Sequence, residues 1–320
     1  MMQQITLEDI KQAAERIYRT ARRTPLEKSI WLSRDTKREV FFKLECFQVT
    51  GSFKLRGAMS KLSLISEEAK SRGVLTISAG NHGLAVAHCA ETLGLDARIV
   101  VPRSASRAKV EAIRRYPVEL VECGKDYDEA EALAREMEIE TGRVFVSPYN
   151  DREVIAGQGT IALEMLADAP DLDALVIPVG GGGLIAGVAL AAKAINPDIK
   201  IFGVEPAASP TMSRAFEAGR LIYTEEEETI ADGLSGNIEN ESITFPLVQQ
   251  FVDEMILVSE DAIKRSVARV AREDHLIIEG SAAVSIAVFE NEMIEGSRVA
   301  AIITGRNITL DLFRQVISGK

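Results

Sequence analysis

Short β-branched and apolar runs alternate along this chain with longer stretches whose apolar positions recur every three or four residues. The alternation is most regular between Gly73 and Val146. There Val74–Ile77, Ala97–Val101, Val118–Glu122 and Val144–Val146 read as strands, and Asn81–Leu93, Arg107–Arg115 and Tyr127–Thr141 as helices. Upstream, Thr6-Leu7-Glu8-Asp9 has the form of a capped helix start, followed by apolar residues at Ile10, Ala13, Ala14 and Ile17. Phe41–Glu45 predicts a strand that delivers the chain to a lysine loop. Downstream, Ala174–Val179 and Ile199–Val204 predict strands on either side of the apolar stretch Leu184 to Ala194. Strands alternating with helices predict α/β layers around mainly parallel sheets.

Glycine turns follow the strands at the positions that carry chemistry. Ser78-Ala79-Gly80-Asn81-His82-Gly83 follows Val74–Ile77, and Gly180-Gly181-Gly182-Gly183-Leu184 follows Ala174–Val179. A strand running through such a turn into a helix leaves backbone N–H groups free at the helix N-terminus, where they attract anions. Lys54, in Thr50-Gly51-Ser52-Phe53-Lys54-Leu55-Arg56-Gly57-Ala58, adds an amine placed between glycines. Two anion sites and one amine suit an amino acid bound to a phosphorylated aldehyde. Each segment also has a plainer reading: Lys54 as a surface lysine, the glycines as a tight turn, His82 as an isolated general base. A rival reading takes Gly181-x-Gly183-x-x-Ala186 as a dinucleotide fingerprint with Glu205 as the ribose-binding acid, giving a dinucleotide-binding oxidoreductase. Lys54 and Asn81 have no role in such an enzyme.

These segments resemble the pyridoxal-phosphate enzymes of the tryptophan-synthase-β type (fold type II), and within them the serine/threonine dehydratase and serine racemase family. The resemblance runs from Thr24-Pro25-Leu26 to Ile308 and includes Ala156-Gly157-Gln158-Gly159-Thr160 and Glu279-Gly280-Ser281-Ala282-Ala283. It implies a two-domain α/β fold with parallel-rich sheets flanked by helices. Residues 1–65 and 149–320 would form a large pyridoxal 5'-phosphate-binding domain and residues 70–146 a small one, with the cofactor in the cleft between them. Lys54 would be the Schiff-base amine and catalytic residue, with Phe53 against the cofactor ring. Gly180, Gly181, Gly182, Gly183 and Leu184 would hold the phosphate. Ser78, Ala79, Gly80, Asn81 and His82 would cradle the substrate carboxylate, with Asn81 also reaching the ring oxygen and His82 binding rather than catalysing. Glu279 would lie near the ring, and Thr304 would face the pyridine nitrogen. Thr304 and Arg306 replace two residues of the usual run of Ser or Cys, two glycines and Asn.

Ala79 bears most on the reaction. Related racemases carry a second serine there, on the face of the substrate opposite the lysine, and alanine has no proton to give. The resemblance therefore implies β-elimination of a hydroxyamino acid such as L-threonine or L-serine to a 2-keto acid and ammonia. A serine or hydroxyaspartate racemase/dehydratase is the alternative within the family. Threonine at 304 keeps a hydroxyl but adds a methyl and a χ1 restriction.

The 320 residues carry 37 basic and 48 acidic side chains, a net charge of −11 that argues against nucleic acid as a partner. Glu225 to Glu228 reads as a solvated loop. Cys46, Cys89 and Cys123 form no paired ligand spacing, which fits reduced thiols in a cytoplasmic protein. The apolar stretch at Leu184 is too short to cross a bilayer. No metal is expected, because Thr211 stands where the racemase-like branch has a second carboxylate after Glu205. No further module follows Thr304, so end-product control is not expected. A homodimer or homotetramer acting on a small amino acid completes the expectation.

Overall fold

The computed structural model describes residues 4–291 and 294–319; residues 1–3, 292, 293 and 320 of the expected large domain lie outside them. Ten strands occur in this range: β1 (Leu26–Lys28), β2 (Glu39–Lys43), β3 (Val74–Ile77), β4 (Ala97–Val101), β5 (Glu119–Glu122), β6 (Val144–Phe145), β7 (Ala174–Pro178), β8 (Lys200–Pro206), β9 (Glu254–Val258) and β10 (Arg298–Ile302). They form two sheets, ordered β1-β2-β10-β7-β8-β9 and β5-β4-β3-β6. Every pairing is parallel except that of β1 with β2. The chain is thus an α/β protein with parallel-rich sheets, as the alternating pattern predicts.

Both sheets bury both faces. Along β7, Ala174 and Val176 join one apolar cluster, while Leu175 and Ile177 join another on the opposite face. Along β3 and β4, Val74, Ile99 and Val101 separate in the same way from Leu75, Ile77 and Val100. Successive side chains of a strand point to opposite faces, so a continuous apolar run is what a sheet covered on both sides requires.

The helix Leu7–Ile17 starts where its sequence indicates. Thr6 and Asp9 exchange side-chain-to-backbone bonds, and Ile10, Ala13, Ala14 and Ile17 are the buried residues. The predicted strand Phe41–Glu45 is shifted: β2 ends at Lys43, and Glu45 opens a 3₁₀ turn, Glu45–Phe47. The Glu45 side chain is drawn into a buried ionic cluster there, accepting bonds from Arg56 at 2.7 and 2.8 Å and lying outside the strand register. β8 runs through Pro206, so Glu205 lies within the strand. Lys54 is not in a loop but opens the helix Lys54–Leu62, whose Leu55, Ala58, Met59 and Leu62 pack into the core on one face of the four-stranded sheet.

The two sheets deliver their turns to one place. β7 and β10 are paired neighbours, so Gly180, just past the end of β7, and Thr304, just past the end of β10, leave the same edge of the larger sheet. Ser78 follows β3, one of the two inner strands of the smaller one. Open parallel sheets bind ligands beyond the carboxyl ends of their strands. Among the described residues, no helix is long and apolar enough to cross a membrane.

Candidate active site

A cleft of about 700 Å³ is lined by Phe53, Lys54, Ser78 through His82, Gly180 through Leu184, Glu279 and Thr304. All the sequence-derived site residues therefore meet in one cavity, although they span more than two hundred positions of the chain.

Lys54 reaches it from the first turn of its helix. Its ammonium donates to the Pro148 carbonyl at 2.9 Å and lies 5.1 Å from the centre of the Phe53 ring. Burial lowers its pKa to about 8, against a smaller opposing pull from Glu279. Arg56, two residues on, is turned away from the amine: it lies fully buried and bound to Glu45 and Glu164, with Lys43 also on Glu164 at 2.6 Å. Uptake of an aldehyde by the free protein requires the neutral amine. Its rate should therefore rise about tenfold per pH unit up to pH 8 and then level. Following cofactor absorbance in apo-protein from pH 6 to 10 checks this, and a flat profile would contradict it.

The glycine turn 180–183 has two separate reasons to be glycine. Gly182 has φ +86°, a left-handed conformation that other residues reach at a cost. At Gly181 and Gly183 a Cβ would press on Tyr149, at 2.5 Å from its ring and 2.9 Å from its Cα. Close packing against Tyr149, rather than ligand approach, excludes side chains at those two positions. The first intrahelical bond of the helix Gly183–Ile195 runs from Ala186 N–H to the Gly182 carbonyl, so the amides ahead of it have no helical acceptor. They form an anion cradle.

A second turn faces the cleft at the start of the helix Asn81–Leu93. Ser78 Oγ accepts from the Gly80 amide at 3.1 Å. The His82 ring is buried, with Nε2 2.9 Å from the Val146 carbonyl. A carbonyl only accepts, so Nε2 carries the proton. Burial, helped by the positive Lys54, pushes the His82 pKa down to about 3. The imidazole is neutral and tied to the chain, and His82 can serve an anion only through its amide.

Glu279 is nearly fully buried. Its Oε1 accepts from Asn81 Nδ2 at 2.7 Å and its Oε2 from the Asn307 amide at 3.0 Å. Burial raises its pKa to about 7 even with those donors. These two asparagines are the partners that an interior carboxylate requires. Asn307 and Tyr149 were not legible as site residues: one lies in the run after Thr304 and the other in a loop without pattern.

Thr304 Oγ1 is buried at the cleft wall with no hydrogen-bond partner. An orphaned hydroxyl costs free energy unless a ligand satisfies it. Together with the amide cradle and the lowered amine, it fits pyridoxal phosphate, which brings an acceptor nitrogen, a phosphate and an aldehyde. Arg306 points elsewhere, exposed and 5.9 Å from the centre of the Phe47 ring. Glu205 is fully buried and accepts from the amides of Met212 and Ser213 and from the Ser213 hydroxyl at 2.6–2.9 Å, so it caps a helix and is closed to a ribose. Glu226 is not merely solvated: it lines the cleft and accepts from Ser209, Thr211 and the Gly236 amide.

Fold and cleft together define an enzyme of the fold type II architecture, built around a phosphorylated aldehyde. The sequence profile of the pyridoxal-phosphate dependent enzymes matches residues 17–305, and the chain belongs to that family. It is similar to L-threonine ammonia-lyase of Thermotoga maritima, 41% identical over 98% of this chain and 78% of that protein. Among solved structures it resembles maize serine racemase, 35% identical with a TM-score of 0.92 over 98% of this chain and 97% of the other. It also resembles the processed form of threonine deaminase isoform 2 from Solanum lycopersicum, 37% identical with a TM-score of 0.92 over 98% and 86%. The cofactor is pyridoxal phosphate, and the dinucleotide reading falls away.

Proposed function

We propose that this enzyme eliminates the β-hydroxyl of L-threonine or L-serine, releasing a 2-keto acid and ammonia. The observation that carries the reading is alanine at position 79. On the carboxylate loop the one hydroxyl is that of Ser78, already accepting from the Gly80 amide. Dehydratases and deaminases among the relatives support the same choice.

Bound pyridoxal phosphate supplies an aldehyde for the substrate amine and a ring that draws charge from Cα. The chain does the rest. Lys54, with its pKa near 8, is neutral often enough near pH 8 to carry the aldehyde, then to take the Cα proton and hand it on. The amides of 180–184 hold the phosphate, and those at 80–82 the substrate carboxylate, each at a helix start. Phe53, at the cleft wall, would pack beside the ring. The unpartnered Thr304 hydroxyl would meet the pyridine nitrogen as a neutral partner. A hydroxyl would not hold that nitrogen protonated as a carboxylate would, which favours loss of a β-substituent over transamination. Residues 1–65 with 149–320 and residues 70–146 act as large and small domains on either side of the cleft. We place the enzyme in the cytoplasm, where Cys46, Cys89 and Cys123 stay reduced. Exposed Leu310, Ile317 and Ile277 suit a homodimer or homotetramer.

Ala79→Ser tests the reading. A hydroxyl there should raise the ratio of D-amino acid to keto acid, by up to about 10²-fold if it is well oriented. Chiral chromatography of the residual amino acid measures the ratio. An unchanged ratio, with abundant D-isomer from the unaltered enzyme, would remove Ala79 as the discriminating position.

A further inference from the structure

Three segments of the cleft wall are tied by one side chain that none of the roles above uses. Asn307 Nδ2 donates to the Thr50 carbonyl at 2.9 Å and to Asn81 Oδ1 at 2.6 Å, while its backbone amide donates to Glu279 Oε2 at 3.0 Å. Asn81 Nδ2 closes the ring on Glu279 Oε1 at 2.7 Å.

The sense of every bond in this ring follows from the carbonyl of Thr50. A carbonyl accepts and never donates, so the end of Asn307 that faces it is the NH₂. That NH₂ also faces Asn81, which must answer with its oxygen. The NH₂ of Asn81 therefore turns to Glu279, whose two oxygens both receive N–H donors. One hydrogen of Asn81 Nδ2 goes to Glu279, and the other remains for the cleft that Asn81 lines. Asn81 thus presents a donor, not an acceptor, to whatever occupies the cleft. Asn307 has little room to turn: its Oδ1 lies where a Cβ on Gly51 would come within 2.7 Å, and Gly51 has φ +77°.

We propose that Asn307 is a positioning residue for the cofactor: anchored on Thr50, it fixes the amide sense of Asn81 so that a single N–H is aimed at the ring oxygen of pyridoxal phosphate. The same contacts register the Lys54 segment against the carboxylate loop, since Thr50 lies four residues before Lys54. The proposal rests on the family's cofactor and not on the reaction, so its test needs no turnover.

The experiment compares the affinity of apo-protein for pyridoxamine phosphate and for its 3-deoxy counterpart, which lacks the ring hydroxyl, by equilibrium dialysis; neither carries an aldehyde, so neither forms an imine with Lys54. The wild-type chain should prefer the ligand with the ring hydroxyl by about tenfold, the share of one hydrogen bond to a charged oxygen. Asn307→Asp places an oxygen where the NH₂ stood and should bring that preference close to unity. Asn307→Ala frees Asn81 and should reduce it as well, which keeps the test usable if the aspartate variant fails to fold. General loosening of the fold would weaken both ligands equally and leave their ratio unchanged. A folded Asn307 variant that keeps the tenfold preference would overturn the proposal, and so would a wild-type chain that binds both ligands alike.

Discussion

Lys54→Ala should lower keto-acid formation by more than about 10⁴-fold, because in the proposed reaction one residue serves as both covalent anchor and proton carrier. The variant should still bind pyridoxal phosphate, though without a covalent bond. The proposed phosphate cradle at 180–184 lies on a different element from the helix Lys54–Leu62 and keeps its amides. Borohydride reduction followed by peptide mass analysis separates the two outcomes: the unaltered protein should carry the cofactor on the Lys54 peptide and the variant on none. Turnover within tenfold of the unaltered enzyme would remove Lys54 from its role.

The second large effect lies behind the cleft. Arg56 and Lys43 face Glu45 and Glu164 in a fully buried cluster, with Arg56 bonded to both carboxylates at 2.7–2.9 Å. Burial alone would raise the Glu164 pKa, yet Arg56 and Lys43 hold it below the ordinary carboxylate range. Arg56→Ala would leave Glu45 without its ionic partner and Glu164 with Lys43 as its remaining cation. Removing one member of a buried ionic cluster costs about 3–5 kcal/mol, so Tm should fall by roughly 10 °C. Calorimetry measures it. The lowered Glu164 pKa also fixes a pH dependence. Its contribution to stability is present above the unfolded value near 4.5 and is lost as pH falls through the depressed folded value. A variant as stable as the parent at pH 7 would contradict the account of the cluster.

Much of the fold was legible because its signal is local. A strand buried on both faces is a continuous apolar run, and Val74–Ile77 and Ala174–Pro178 carry that run in the sequence itself. The glycine turns were legible for the same reason, each following a run directly. What the sequence hid is set by distant contacts. Tyr149 restricts Gly181 and Gly183 from another segment, Asn307 finds Asn81 and Thr50 only in the folded chain, and Glu45 leaves its strand for Arg56. Arg56 shows the limit: its place two residues from Lys54 gives no sign that the helix turns it away from the amine into a buried ionic cluster, nor that burial lowers the amine pKa. Glu226, in a run of four glutamates, shows the opposite, a residue of bland pattern that reaches the cleft.

The most direct measurement of the central claim is the product balance from L-threonine and L-serine with the cofactor-loaded enzyme. Keto acid, ammonia and residual amino acid would be quantified together and the residual amino acid resolved by chirality. Elimination predicts keto acid and ammonia in equal amounts and little D-isomer, since Ala79 offers no proton opposite Lys54. Accumulation of D-serine or D-allo-threonine without matching ammonia would contradict it.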